Sequence, residues 1–216
     1  MLELDHVLCM ADPHGDWADR LESAGWPLDA GTAHSGQGTH NRRMILREQF
    51  LELLWVENDE EARRNPLRLD RRADWRRTGA SPFGFGLRGR LPGPLRRDYW
   101  LLEGLPMPVW VHRDNEEAPH RPLIFVLDVT PTSSAVLRGR DRAGRPAVPA
   151  STAGLVAVRH TGPAPARLLD FSGPTVGPGS GEHRLQLIVD QGTPITVTDL
   201  IAIDVRPGRP GVASQP

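Results

Sequence analysis

Two strand-length apolar runs, each holding at its centre one group that belongs in water, limit what this chain can fold into more than any other feature. They are LELDHVLCM at positions 2–10, with His6, and FLELLWV at 50–56, with Glu52. Runs this short and this rich in Leu and Val read as strands covered on both faces. A buried imidazole then needs two hydrogen-bond partners, and a buried carboxylate needs a cation or donors to offset its desolvation.

Between the runs, ADPHGDWADRLESAGW predicts a helix. Asp12 is placed to cap it, Pro13 suits its first position, and Trp17, Leu21 and Ala24 form one apolar stripe. Gly25 ends it in the left-handed conformation. GTAHSGQGTHN reads as a loop with a short edge strand, and NRRMIL and FLELLWV as strands joined by the polar turn REQ. The first 57 residues therefore spell β, α, β, β, β.

Residues 58–78 are charged and interrupted by Pro66, which predicts two short exposed helical pieces. Five acidic residues lie among seven arginines between Asp59 and Arg77, the pattern of a solvated face with local ion pairs; the alternative is an arginine patch for a phosphorylated partner. From Phe83 onward FGFGLRG, DYWLLEGL, MPVWVHR and PLIFVLDV have strand composition. RGRDRAGRPAVPAST at 138–152 reads as a loop or linker, followed by strands in GLVAVRH, RLQLIVD and ITVTDLIAIDV and a short helix in APARLLDF. The organisation expected is a first β, α, β, β, β module with its exposed helical connection over 1–80, a divergent β-rich half over 81–206, and a flexible tail over 207–216.

Composition removes several functions. The formal net charge is −1, which supplies no field for nucleic acid or anionic lipid. All 26 basic residues are arginine. Without a lysine there is no amine for a Schiff base and no GxxxxGK[ST] phosphate loop. The single cysteine, Cys9, permits no internal disulfide, and MLELDH lacks the basic start and long apolar stretch of a secretory leader. No apolar run approaches the roughly 20 residues that cross a bilayer. The expectation is a soluble, cytoplasmic protein.

The familiar motifs fail in context. GFGLRG at 84–89 fits the dinucleotide fingerprint, but RLPGPLRR after it cannot start the helix that must receive a pyrophosphate. GPGSGEH at 177–183 lacks the spacing of a nucleophile elbow and reads as a flexible loop. Cys9 has no cation beside it in sequence and reads as a small buried hydrophobe.

His6 and Glu52 remain. If their strands are neighbours, the two face one cleft and offer nitrogen and oxygen ligands to a divalent ion. Burial is equally met by a His6–Glu52 hydrogen bond, or by a Glu52–Arg43 pair across the hairpin, with no metal. Strand parity puts Phe50, Glu52, Leu54 and Val56 on one face. With a two-residue turn at Glu48 and Gln49, Asn41, Arg43 and Ile45 join Glu52 there; a one-residue change in turn length would substitute His40, Arg42 and Met44.

LDHVLCMAD, a helix ending ESAGW, then GTHNRRMIL and FLELLWV, together resemble the glyoxalase-like branch of the vicinal oxygen chelate superfamily, which includes glyoxalase, bleomycin-resistance and dioxygenase proteins. The resemblance implies an α+β fold of paired βαβββ modules curling a mixed sheet around a cleft, commonly in a homodimer. It implies metal ligands on the first and last strands of each module, hence His6 and Glu52, with a Zn, Ni, Mn or Fe ion, and Glu52 as a proton carrier in lyase or isomerase chemistry. It places His40 and Asn41 at the mouth of the cleft, where strand parity adds Arg43 to the candidate small-molecule site. The second half departs from the pattern, lacking a second DH or LEL, with His112 and Asp128 as strand-borne substitutes. The alternative within the same fold is a metal-free protein that binds or sequesters its ligand.

Overall fold

The computed structural model describes residues 1–105, 107–129, 151–163, 171–179 and 181–206. Most of the 138–152 linker, all of APARLLDF but Phe171, and the tail after Arg206 lie outside the described residues.

The first module is as its hydrophobic pattern predicts: β1 (Leu2–Met10), α1 (Trp17–Ser23), β2 (Thr32–His34), β3 (Thr39–Ile45) and β4 (Phe50–Val56). Helix α1 begins later than expected. Asp12 does not cap it; the Asp12 side chain accepts from the His14 backbone N–H at 2.9 Å, and its carbonyl takes the Trp17 indole N–H at 2.7 Å, closing a turn ahead of the helix. Gly25 has φ +83°, the left-handed ending expected.

A second module follows, in which the helix has shrunk to one 3-10 segment. It runs β5 (Phe83–Arg88), the 3-10 turn Gly93–Asp98, β6 (Tyr99–Leu102), β7 (Val109–His112), the short helix Asp114–Glu117, and β8 (Leu123–Leu127). In both modules the last strand lies parallel beside the first. The two first strands, β1 and β5, pair antiparallel at the centre, giving the order β2-β3-β4-β1-β5-β8-β7-β6. The fold is thus a curved mixed sheet of paired βαβββ modules. One face is concave and bounds a cleft.

The opposite face is closed by a second sheet. It comprises β9 (Leu155–Thr161), β11 (Thr175–Gly179), β12 (Arg184–Val189), β13 (Ile195–Thr196) and β14 (Ile201–Val205), in the order β11-β9-β12-β14-β13. The stretch read from sequence as one β-rich half therefore contains both a second module and a covering sheet. Its GPG at 177–179 is not loop but the end of β11, paired parallel with β9. The two-residue strand β10 (Phe171–Ser172) pairs parallel with Leu2 and Glu3, tying the covering segment to the start of β1.

A bulge in β1 sets which side chains enter the cleft. Leu4 pairs with Leu87 and His6 with Gly86, so Asp5 is an extra residue. Leu2 and Leu4 before the bulge, and Val7 and Cys9 after it, all belong to the core beneath the covering sheet, so the inward parity switches from even to odd at Asp5. Each such fully buried Leu or Val contributes roughly 1.5–3 kcal/mol of burial.

The arginine-rich connection forms three short helices, α2 (Asp59–Arg64), α3 (Leu69–Ala73) and α4 (Trp75–Thr78), rather than two. Arg63, Arg64, Arg68 and Arg77 pair with Asp59, Glu60, Asp70 and Asp74, and Arg76 with Asp199. Arg72 is placed differently. It is buried and donates to the Asn115 side chain and the carbonyls of Ser81 and Arg121, which fastens α3 to the second module.

Candidate functional site

The bulge that switches parity also lets two consecutive side chains, Asp5 and His6, line the cleft together. His6 Nδ1 is 2.9 Å from Asp5 Oδ2, and its Nε2 is 3.4 Å from Glu52 Oε2. Strand β4 brings Glu52 there because it lies parallel beside β1 with Glu52 opposite Leu8, two residues beyond Phe50, which pairs with His6. Glu52 also accepts from the Asn41 side-chain amide, whose oxygen in turn accepts from the Thr32 backbone N–H at 3.0 Å. At the other end Arg88 Nη1 reaches Asp5 Oδ1 at 3.3 Å, and Arg88 also holds Glu3. A buried chain of alternating charge, Arg88, Asp5, His6, Glu52, runs across the sheet.

The imidazole is held in plane as well. It stacks on Phe50 with centroids 4.3 Å apart and planes 12° from parallel, and Phe125 leans on it at 5.2 Å. Its remaining side is occupied by the backbone at Gly86, where a Cβ would lie 2.4 Å from His6 Cε1. The glycine of the apparent dinucleotide fingerprint is there to admit this ring.

Burial by itself would lower the His6 pKa, but the hydrogen bonds and charges of Asp5 and Glu52 outweigh it and raise the group from 6.5 to about 9. For Glu52, burial would raise the pKa; the His6 contact and charge, with smaller help from His34 and Asn41, bring it from 4.5 down to about 2. The contacts with Asp5 and Glu52 thus favour the protonated imidazole, and the contact with His6 favours the Glu52 carboxylate.

Sequence reasoning placed four of the site residues on this face. His6, Asn41, Arg43 and Glu52 all line the cleft. Arg43 pairs directly opposite Glu52, with the turn at Arg47 and Glu48 rather than Glu48 and Gln49, a shift that leaves parity intact. His40 is not among the lining residues; being one position out of phase with Asn41, it lies on the other face, stacked on Trp55 at 4.8 Å and 3.5 Å from Glu57. His112 and Asp128 are also elsewhere: His112 Nδ1 accepts from the Asp114 backbone N–H, and Asp128 faces the Trp110 indole. Asp5 was missed because an unbulged strand would have turned it away. The signal available was LDH itself, a carboxylate beside the imidazole in an apolar strand.

Across from this polar wall the cleft is apolar. Val109 and Val111 of β7 and Leu123, Phe125 and Leu127 of β8 line it, with Leu102 beyond. The cavity measures about 290 Å³.

These donors do not fit the divalent ion that the fold family implies. On the second module the first and last strands present Gly84, Gly86, Leu123, Phe125 and Leu127 to this face, and none is a ligand. On the first module both ring nitrogens of His6 are taken up within the wall, Nδ1 by Asp5 and Nε2 by Glu52. Among the described residues no cluster of three or more His, Cys, Asp or Glu side chains could hold a metal.

Residues 4–88 match the family model described as a glyoxalase-like domain. No curated protein matches the chain. Among solved structures, a hypothetical protein from Staphylococcus aureus has a similar fold, with a TM-score of 0.58 at 12% identity, covering 95% of this chain and 100% of its own. Methylmalonyl-CoA epimerase from Mycobacterium tuberculosis aligns over 62% of this chain and 91% of its own, at 14% identity and a TM-score of 0.41. No helix among the described residues is long and apolar enough to cross a membrane.

Proposed function

We propose, from the match of residues 4–88 to the glyoxalase-like domain model and from the cleft itself, that the protein binds a small organic molecule in the cleft between its two modules, without a metal ion. The observation that carries this reading is the division of the cleft into one polar and one apolar wall. A concave site with an apolar lining and a few convergent polar groups is the usual form of a small-molecule pocket, and about 290 Å³ stands at the small end of that range. The apolar wall supplies burial and the polar wall orients the ligand.

Binding or sequestration is favoured over lyase or isomerase chemistry by the state of Glu52. A general base works best with a pKa near the operating pH. Glu52 lies far below that, held by His6 and Asn41. Its role here is to anchor the ligand and keep His6 charged.

The test is a ligand-detected NMR screen of small amphiphiles against chelator-treated protein, repeated on Val111→Trp, which fills the apolar wall. Hits that bind the chelated protein and vanish in the filled variant support the reading. Binding that appears only on adding Zn, Ni, Mn or Fe ions overturns it.

A further inference from the structure

Arg43 and Glu52 are directly opposite each other in the β3–β4 ladder and both line the cleft. Opposite charges so placed, with Cβ atoms about 5 Å apart, ordinarily pair. Here each is drawn to a different partner. Arg43 Nε donates to Asp29 Oδ2 at 2.5 Å, and its backbone N–H donates to Asp29 Oδ1 at 2.7 Å. Glu52 is engaged by His6 and Asn41. A guanidinium retains four N–H bonds after its Nε is used, and each carboxylate oxygen can accept a second hydrogen bond. The result is a donor and an acceptor side by side on the cleft wall.

The two charges sit opposite each other on one wall, each already held by its own partner, Arg43 by Asp29 and Glu52 by His6 and Asn41. A carboxylate ligand brought to Arg43 would meet Glu52, and an ammonium brought to Glu52 would meet Arg43. Either would set a like charge against one member of the pair beside an apolar wall. A neutral head carrying its own donor and acceptor would not.

We infer that the Arg43–Glu52 pair is a dipolar slot for an uncharged amide-type head group, its carbonyl oxygen toward Arg43 and its N–H toward Glu52, borne on an apolar body lying along Val109, Val111 and Leu123. The inference rests on the binding-cleft reading and specifies its ligand class. An ester or ketone of the same shape satisfies Arg43 alone and leaves Glu52 facing it without a donor, a mismatch that buried polar sites reject.

Four probes of equal chain length separate the possibilities: octanamide, octanoate, octylammonium and methyl octanoate, titrated into the wild-type protein and followed by NMR shifts. Octanamide should bind about tenfold or more tightly than each of the other three. In Arg43→Met, checked for folding by circular dichroism, that advantage over methyl octanoate should persist while the affinity for both falls. Equal or tighter binding of the ester or of either ion overturns the head-group assignment. If none of the four binds while the amphiphile screen yields other ligands, the assignment fails and the cleft reading stands. If the screen is also empty, both fail.

Discussion

The Cβ of any residue at position 86 other than glycine would fall 2.4 Å from Cε1 of His6, so Gly86 and the imidazole share one space. Gly86→Ala must therefore push the ring out of line with Asp5 and Glu52. We expect a loss of about 1–3 kcal/mol in urea unfolding, the range for overpacking, together with weakened ligand binding. Gly93→Ala, where a Cβ meets nothing within 4 Å and φ is not positive, should change stability by less than about 0.5 kcal/mol. Equal effects at both positions would show that His6 is free to move.

The His6–Glu52 contact predicts non-additive losses. Removing one member leaves a buried charge short of its partner, so His6→Leu and Glu52→Leu should each cost about 3–5 kcal/mol. The double variant should cost clearly less than the sum, since each single change already forfeits the same contact. Strict additivity in denaturant unfolding would mean the two side chains do not interact in solution.

Stability should depend on pH at both ends. Glu52 titrates at about 2 when folded against 4.5 ordinarily, so its contribution is complete above 4.5 and disappears as pH falls through about 2. His6 is raised to about 9, so its contribution is complete below 6.5 and is lost as pH rises through about 9. The pair therefore stabilises most between 4.5 and 6.5. His6→Gln should flatten the alkaline limb of a Tm–pH profile.

His160 acts in the opposite sense within that window. It is fully buried between the sheets against Phe83 and Phe85, with neither ring nitrogen partnered among the described residues. Burial, with a smaller effect of the nearby His183 charge, lowers it to about 4. The unfolded chain binds its proton more readily, so stability should decline as pH falls from 6.5 towards 4. His160→Phe should abolish that decline, and an unchanged slope would remove His160 as its source.

Arg72 should stand apart from its arginine-rich neighbours. Arg72→Ala strands the buried Asn115 oxygen and two backbone carbonyls and should cost about 3 kcal/mol or more. Arg63→Ala and Arg64→Ala break exposed i,i+4 pairs worth at most about 0.5 kcal/mol. Comparable effects at all three sites would contradict the buried position of Arg72.

What could be read from the sequence follows the reach of local rules. Periodicity and turn residues gave the first module, and strand parity gave Asn41, Arg43 and Glu52 a common face, because a regular strand alternates without exception. It did not place Asp5, because a bulge depends on how β1 meets β5, and the one mark on β1 itself is a carboxylate beside the imidazole in an apolar strand. His40 shows the same rule from the other side, since its family-derived assignment ignored the parity that separates it from Asn41. The second module was hidden by its missing helix and by glycines and apolar residues at its cleft positions. Those same substitutions are the reason its wall is apolar.

The two-residue strand at Phe171 and Ser172 has a temporal consequence. Its ladder with Leu2 and Glu3 joins segments nearly the whole described chain apart, and such distant closures are slow. A chain leaving the ribosome must therefore hold the beginning of its first strand unzipped along that edge until most of the polypeptide has emerged. The first module can collapse early, but its outer seam waits for residues 171 and 172.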